Sequence, residues 1–226
     1  MWEIPGLTPS KGLDIMKVIG LTGGVGAGKS LVLGILSREY GAETIETDKV
    51  ARRLMEPGEK GYAAVVDALG NSFLKPDGSI DRQLLAARIF TDEKDRKTVD
   101  SMIHPMVWKT VKDKISASQA GLIVIEFAIM DKEAKDCCDE IWYVRASEEN
   151  RVRRLAENRG YTKERSESMM ASQASEEVFL SLCDRVIEND GSIEGVRGQL
   201  EKLLGKREDV LGRRKPSGLE TEKRRI

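Results

Sequence analysis

The chain has 226 residues, 40% of them apolar, enough for one α/β domain with a substantial core and an insertion. A net charge of −1 excludes binding to nucleic acid through a bulk basic field, and no apolar run approaches the ~20 residues that cross a bilayer. The three cysteines, Cys137, Cys138 and Cys183, lack metal-site spacing and read as free thiols of a reducing cytoplasm, a location that also fits an N-terminus without a signal-peptide pattern.

Residues 1–15, with Pro5, Gly6, Pro9 and Gly12, read as a flexible leader ahead of Met16. Residues 17–22 are an apolar, β-branched run that predicts a buried strand. Gly23-Gly24-Val25-Gly26-Ala27-Gly28-Lys29-Ser30 follows and reads G-x-x-x-x-G-K-S, the phosphate-binding loop pattern. Its glycines allow a tight turn with positive φ, so that N–H groups from Gly24 through Leu31 can point inward at the phosphates of ATP. Lys29 would reach the β- and γ-phosphates, and the Ser30 hydroxyl would sit on Mg²⁺. Apolar residues at 31, 32, 35, 36 and 40 predict a helix closed by Gly41, whose N-terminus adds to the anion site.

A short strand is expected to end at Asp48, followed by helical turns from Lys49 to Pro57-Gly58. Tyr62, Val65, Val66 and Leu69 predict a helix closed by Gly70. Pro76-Asp77-Gly78 reads as a turn, Asp81 as the cap of a helix over 82–90, and Thr91 as the cap of the next. That helix is expected to stop before His104-Pro105, because a residue preceding proline avoids α geometry, and a separate helix to carry Val107, Trp108, Val111 and Ile115. Residues 58–118 are thus a helical insertion between the second and third strands. Strands follow at 121–126, 141–144 and 185–188. Ser147, Thr162 and Ser192 cap helices between and after them, the last ending at Leu204 with Gly205 beyond. Residues 206–226 carry a net +4, leaving −5 on the remainder, and read as a disordered basic tail.

Strands alternating with helices imply a doubly wound parallel sheet, whose ligands lie beyond the strand C-termini. Asp48 and Glu126 both fall there. Asp48 is a candidate general base for an acceptor hydroxyl, with a plain helix-cap role as the alternative. Glu126 could hold Mg²⁺ through water, hold the acceptor, or cap. Arg151, Arg153, Arg154, Arg159, Lys163 and Arg165 could form a basic lid over a transferring phosphoryl group, or a solvated face paired with Glu148, Glu149 and Glu157. His104, the only histidine, reads from its own surroundings as structural. A guanine-specific N-K-x-D and a transporter S-G-G-Q are both absent, which disfavours a GTPase and a transport ATPase.

These segments together resemble the bacterial dephospho-coenzyme A kinases over residues 17–205. The glycine loop with its strand, Glu46-Thr47-Asp48-Lys49-Val50-Ala51-Arg52, Pro57-Gly58, Arg88-Ile89-Phe90, Ile103-His104-Pro105-Met106-Val107, Arg154, Arg159, Gln173, Asp184 and Val186-Ile187-Glu188-Asn189-Asp190-Gly191 carry the resemblance, in the family's order. It implies a P-loop kinase-type five-stranded sheet, with a nucleotide-binding core over 16–57 and 119–205, a helical substrate domain over 58–118, and a lid at about 150–173. It also implies ATP-dependent phosphorylation of the ribose 3′-hydroxyl of dephospho-coenzyme A with Mg²⁺, by a monomer or weak homo-oligomer with no nucleic-acid or membrane partner. Asp48 would be the base, Lys29, Arg154 and Arg159 would serve catalysis, Asn189 would join the ATP site, and Arg52, His104 and Glu126 would contact substrate. Another P-loop nucleotide or small-molecule kinase is the alternative. The chain departs from the family pattern at Glu46, where the family has Asp. It departs again at Met169, where an arginine is common. The block Glu126-Phe127-Ala128-Ile129-Met130-Asp131-Lys132 lacks the family's proline and terminal acid.

Overall fold

The computed structural model describes residues 16–128, 131–206 and 210. The leader, and the tail apart from Lys206 and Val210, lie outside the described residues. Five strands form one wholly parallel sheet: β1 (Lys17–Thr22), β2 (Glu43–Glu46), β3 (Leu122–Glu126), β4 (Glu140–Arg145) and β5 (Arg185–Glu188), in spatial order β2-β3-β1-β4-β5. The chain leaves β1 for the far edge, returns through β3, and crosses over β1 to β4. The switch in direction therefore lies at the C-terminal end of β1, where doubly wound sheets bind ligands. Leu21 and Glu46 both pair with Glu126, so β1, β2 and β3 finish within a residue of one another, while β4 runs past Trp142, the partner of Leu21, to Arg145.

Alternation along β1 and β3 sends side chains to two helical layers. Ile19, Leu21 and Val124 pack with α1 (Lys29–Tyr40) and α10 (Ile193–Leu204), through Leu33, Leu36, Val196 and Leu200. Val18, Ile123 and Ile125 face the other layer, built from α2 (Thr47–Leu54), α3 (Lys60–Leu69), α4 (Arg82–Thr91) and α5 (Glu93–Ala117). In that layer α2, α3 and α4 each pack on α5. The short α6 (Lys132–Cys137) precedes β4, and α7 (Glu148–Arg159), α8 (Lys163–Ala171) and α9 (Glu176–Leu182) lie between β4 and β5. Among the described residues no helix is long and apolar enough to cross a membrane.

Several expectations are corrected. Asp48 does not end a strand: β2 stops at Glu46 and Asp48 lies in the first turn of α2. Thr91 closes α4, and Asp92 is the cap of α5, accepting from Lys94 and Asp95 N–H. Pro105 sits inside α5, which runs unbroken to Ala117. A helix-interior proline costs about 3 kcal/mol. Val99, Ile103, Val107 and Val111, all buried at four-residue spacing along that helix, return about 1.5–3 kcal/mol each, so continuity wins. Helix α6 was not expected at all. Of the expected tail, Val210 is buried in the cluster formed by α1 and α10, so the packed body extends past Gly205.

Candidate active site

The loop between β1 and α1 turns through Gly26 (φ 78°) and Gly28 (φ 96°), both left-handed. The surroundings are as restrictive as the backbone. A Cβ on Gly28 would lie 2.1 Å from Asn189 Nδ2, and one on Gly26 would lie 2.8 Å from the Arg151 carbonyl oxygen. Lys29 Nζ donates to the Gly23 carbonyl at 2.8 Å and lies 3.5 Å from Glu126 Oε1. Glu126 keeps only 14% of its side chain exposed. Burial pushes its carboxyl above the usual range, Lys29 pulls it back, and Asp48 and Glu46 add a further upward push through their charge. One lysine and three acids thus share the C-terminal edge of the sheet. Thr22, at the end of β1, is wholly buried, and its hydroxyl has no hydrogen-bond partner among the described residues.

When loop N–H groups turn inward, the carbonyls turn outward, and helix α7 receives them. Arg151 Nε donates to the Val25 carbonyl at 2.8 Å, and Arg154 Nη1 to that of Ala27 at 3.3 Å. Arg154 Nη2 also donates to the Asn189 carbonyl, while Asn189 Nδ2 donates to Ala27 O at 2.7 Å. Gln173 Oε1 accepts from Val25 N–H at 2.9 Å and from Arg151 Nη2 at 3.3 Å. The basic stretch therefore divides. Arg151 and Arg154 meet the loop, Arg153 bonds Asn150 and Glu157 on the outer face, and Arg165 stacks over Tyr161. Arg159, expected beside Arg154, is exposed in the last turn of α7. Arg151, named from sequence only as one of the candidate lid residues, lies one helical turn from Arg154, on the same face.

Across from the loop, a cavity of about 270 Å³ opens between α2 and α5. Asp48, His104, Trp108, Phe127 and Asp131 line it. Asp48 is exposed there. Glu46 instead lines a separate pocket at the β2 edge and pairs with Lys49 at 2.8 Å. Sharing one strand face with Asp48, as the strand reading implied, does not occur, because the chain turns into α2 between them. Arg52 lines an adjoining groove of about 810 Å³ with Lys75 and Arg82; Met55 and Ile89 border both spaces. His104 Nε2 lies 2.6 Å from Asp131 Oδ2, which also accepts from Trp108 Nε1 at 3.0 Å. Asp131 was not recognised from sequence, since the acid sits one position before the place the family block reserves for it. An oxygen-rich edge of this kind, facing a cradle of backbone N–H groups, can hold a triphosphate, its cation and an acceptor hydroxyl together.

A model of the dephospho-CoA kinase family matches residues 17–195. A dephospho-CoA kinase of Corynebacterium glutamicum is 35% identical over 193 residues, spanning 84% of this chain and 98% of that protein. One from Carboxydothermus hydrogenoformans is 34% identical over 194 residues, spanning 84% and 94%. Among solved structures, TT1252 from Thermus thermophilus superposes with a TM-score of 0.72 at 28% identity, covering 84% of this chain and 97% of that one.

Proposed function

This chain belongs to the dephospho-CoA kinase family, and we propose that it transfers the γ-phosphoryl group of ATP to the ribose 3′-hydroxyl of dephospho-coenzyme A, giving coenzyme A and ADP. The observation that carries the reading is the juxtaposition at the sheet edge: the phosphate cradle with Lys29 on one side, the cavity with Asp48 and His104 on the other.

In this reading, loop N–H groups between Gly24 and Leu31 hold the phosphate chain, except those of Val25, Ala27 and Leu31, which are bonded to Gln173 Oε1 and to the Gly24 and Gly28 carbonyls. Lys29 exchanges the Gly23 carbonyl and Glu126 for the β- and γ-phosphates. Phosphoryl transfer needs chiefly positioning and charge stabilisation. Arg154 supplies positive charge from the lid formed by α7 and α8, with Arg159 brought up by its closure. Asn189 keeps the loop closed around the nucleotide. The acceptor lies in the cavity against His104, with Glu126 at its border and Arg52 reaching it from the adjoining groove. Asp48 takes the hydroxyl proton as the new O–P bond forms, the bond from the γ-phosphorus to the β-phosphate oxygen breaks, and ADP leaves with that electron pair. The Ser30 hydroxyl at the start of α1 and the nearby carboxylate oxygens are hard donors suited to Mg²⁺. When bound, the ion neutralises charge on the β- and γ-oxygens. The enzyme acts in the cytoplasm, in keeping with its three free thiols, as a monomer or weak homo-oligomer.

Comparing ATP consumption with dephospho-coenzyme A, adenosine, AMP and shikimate as acceptors tests the reading. Turnover with dephospho-coenzyme A, giving a 3′-phosphorylated product, is expected. Preference for another acceptor would place the chain with a different P-loop kinase activity.

A further inference from the structure

The block 126–132 departs from the family pattern by lacking an acid at its end, where Lys132 stands. The fold supplies one a residue earlier. Asp131 Oδ1 accepts from Ala134 N–H at 2.7 Å and caps α6. Its other oxygen accepts from Trp108 Nε1 at 3.0 Å and lies 2.6 Å from His104 Nε2. A carboxylate held by two other N–H donors can only accept from the imidazole, so Nε2 must carry the hydrogen. The 3.2 Å approach of Trp108 Nε1 to His104 Nε2 is then two donors converging on one oxygen. In an uncharged ring whose Nε2 carries the hydrogen, Nδ1 is the acceptor. The ring also stands edge-on to Trp108, at 6.3 Å and 79°, and forms part of the wall of the Asp48 cavity.

We propose that Asp131 is a positioning residue: it fixes the orientation and tautomer of His104, so that Nδ1 accepts a hydrogen bond from a hydroxyl or amino group of the nucleoside in the Asp48 cavity. The proposal rests on reading that cavity as the acceptor site. It assigns the missing acid's work to the position just before Lys132.

The test uses Asp131→Ser, which keeps a capping oxygen for α6 but is too short to reach His104, with Asp131→Asn as the conservative variant that retains an acceptor oxygen. Because the chain has a single histidine, its ring ¹⁵N signals are unambiguous. The parent is expected to show the Nε2–H form with a hydrogen-bonded, downfield Nε2 proton. Asp131→Ser should lose that proton signal and raise KM for dephospho-coenzyme A about 3- to 10-fold, the effect of one oriented hydrogen bond, with kcat and the KM for ATP unchanged. Asp131→Asn should recover part of the loss, and His104→Ala combined with Asp131→Ser should be no worse than His104→Ala alone. An unchanged proton signal in Asp131→Ser, an Nδ1–H tautomer in the parent, or an unchanged substrate KM overturns the proposal. So does an equal loss in all three kinetic parameters, the mark of a merely structural role. A parent inactive on dephospho-coenzyme A, yet losing its Nε2 proton signal on Asp131→Ser, would refute the functional reading while supporting the pair.

Discussion

Replacing Asp48 with Asn removes one carboxylate from the first turn of α2 and preserves its size. Asp48 is exposed. The stability lost is therefore its favourable interaction with the helix N-terminus, about 0.3–1 kcal/mol. For a chain of this size that lowers Tm by about 1–4 °C. The chemical loss is on another scale. A positioned base contributes about 10²–10⁴ in rate, which is about 2.7–5.4 kcal/mol of barrier. Asp48→Asn should thus fold, bind ATP as the parent does, and lose kcat by that factor in an assay coupling ADP release to NADH oxidation. Glu46→Gln is the control. Its carboxylate pairs with exposed Lys49 and faces another pocket, so its loss costs about 0–1 kcal/mol of stability and leaves kcat near that of the parent. A folded Asp48→Asn protein retaining kcat within about tenfold of the parent would refute the assignment, since a base contributes at least that much. Glu126 would then be the next candidate.

Lys29→Ala should abolish turnover while leaving the circular dichroism spectrum unchanged; near-parental turnover would remove the loop from the reaction. Glu126→Gln should raise Tm at neutral pH and destroy activity. The Glu126 carboxyl lies above its ordinary value because burial outweighs the pull of Lys29. Stability linked to a raised carboxyl is fully present below the unfolded value and is lost as pH rises through the folded one. The variant's advantage should therefore be largest at neutral pH and shrink as pH falls into the ordinary glutamate range; a constant difference across that window would contradict the burial account. Ending the chain after Gly205 should lower Tm by about 3–6 °C, from the loss of roughly 1.5 kcal/mol of buried Val210 surface. Ending it after Val210 should leave Tm unchanged, and equal melting of the two truncated forms would show that Val210 contributes nothing.

The strands and most helix ends were legible because their signals are local. The caps at Asp81, Ser147, Thr162 and Ser192 each accept the backbone bond their residue type suggests. The glycine loop was legible because its residue types answer a single backbone demand. What escaped was decided across the chain. Pro105 reads locally as a stop, yet the stripe through Val99 and Val111 is buried by partners that no short window contains. Asp48 reads as the end of a short strand following Gly41, but pairing with β3 ends at Glu46. Asp131 has no local pattern at all: its partners His104 and Trp108 lie 27 and 23 residues earlier, on another element. Arg52 and Asp48 are one turn apart on α2, yet they open into different spaces that share Met55 and Ile89, a division no local pattern shows.

The enclosure of the glycine loop has a consequence for the order of events during synthesis. Its carbonyls are held by Arg151 and by Asn189, which stand 126 and 162 residues downstream of their partners. The loop is therefore translated well before the walls that fix its shape. A nascent chain that has reached only β3 holds every residue of the phosphate cradle and none of its enclosure. Nucleotide therefore cannot serve as a template for the early part of folding. It can stabilise only a chain already synthesised through Asn189, so its protection against degradation begins no earlier than that residue.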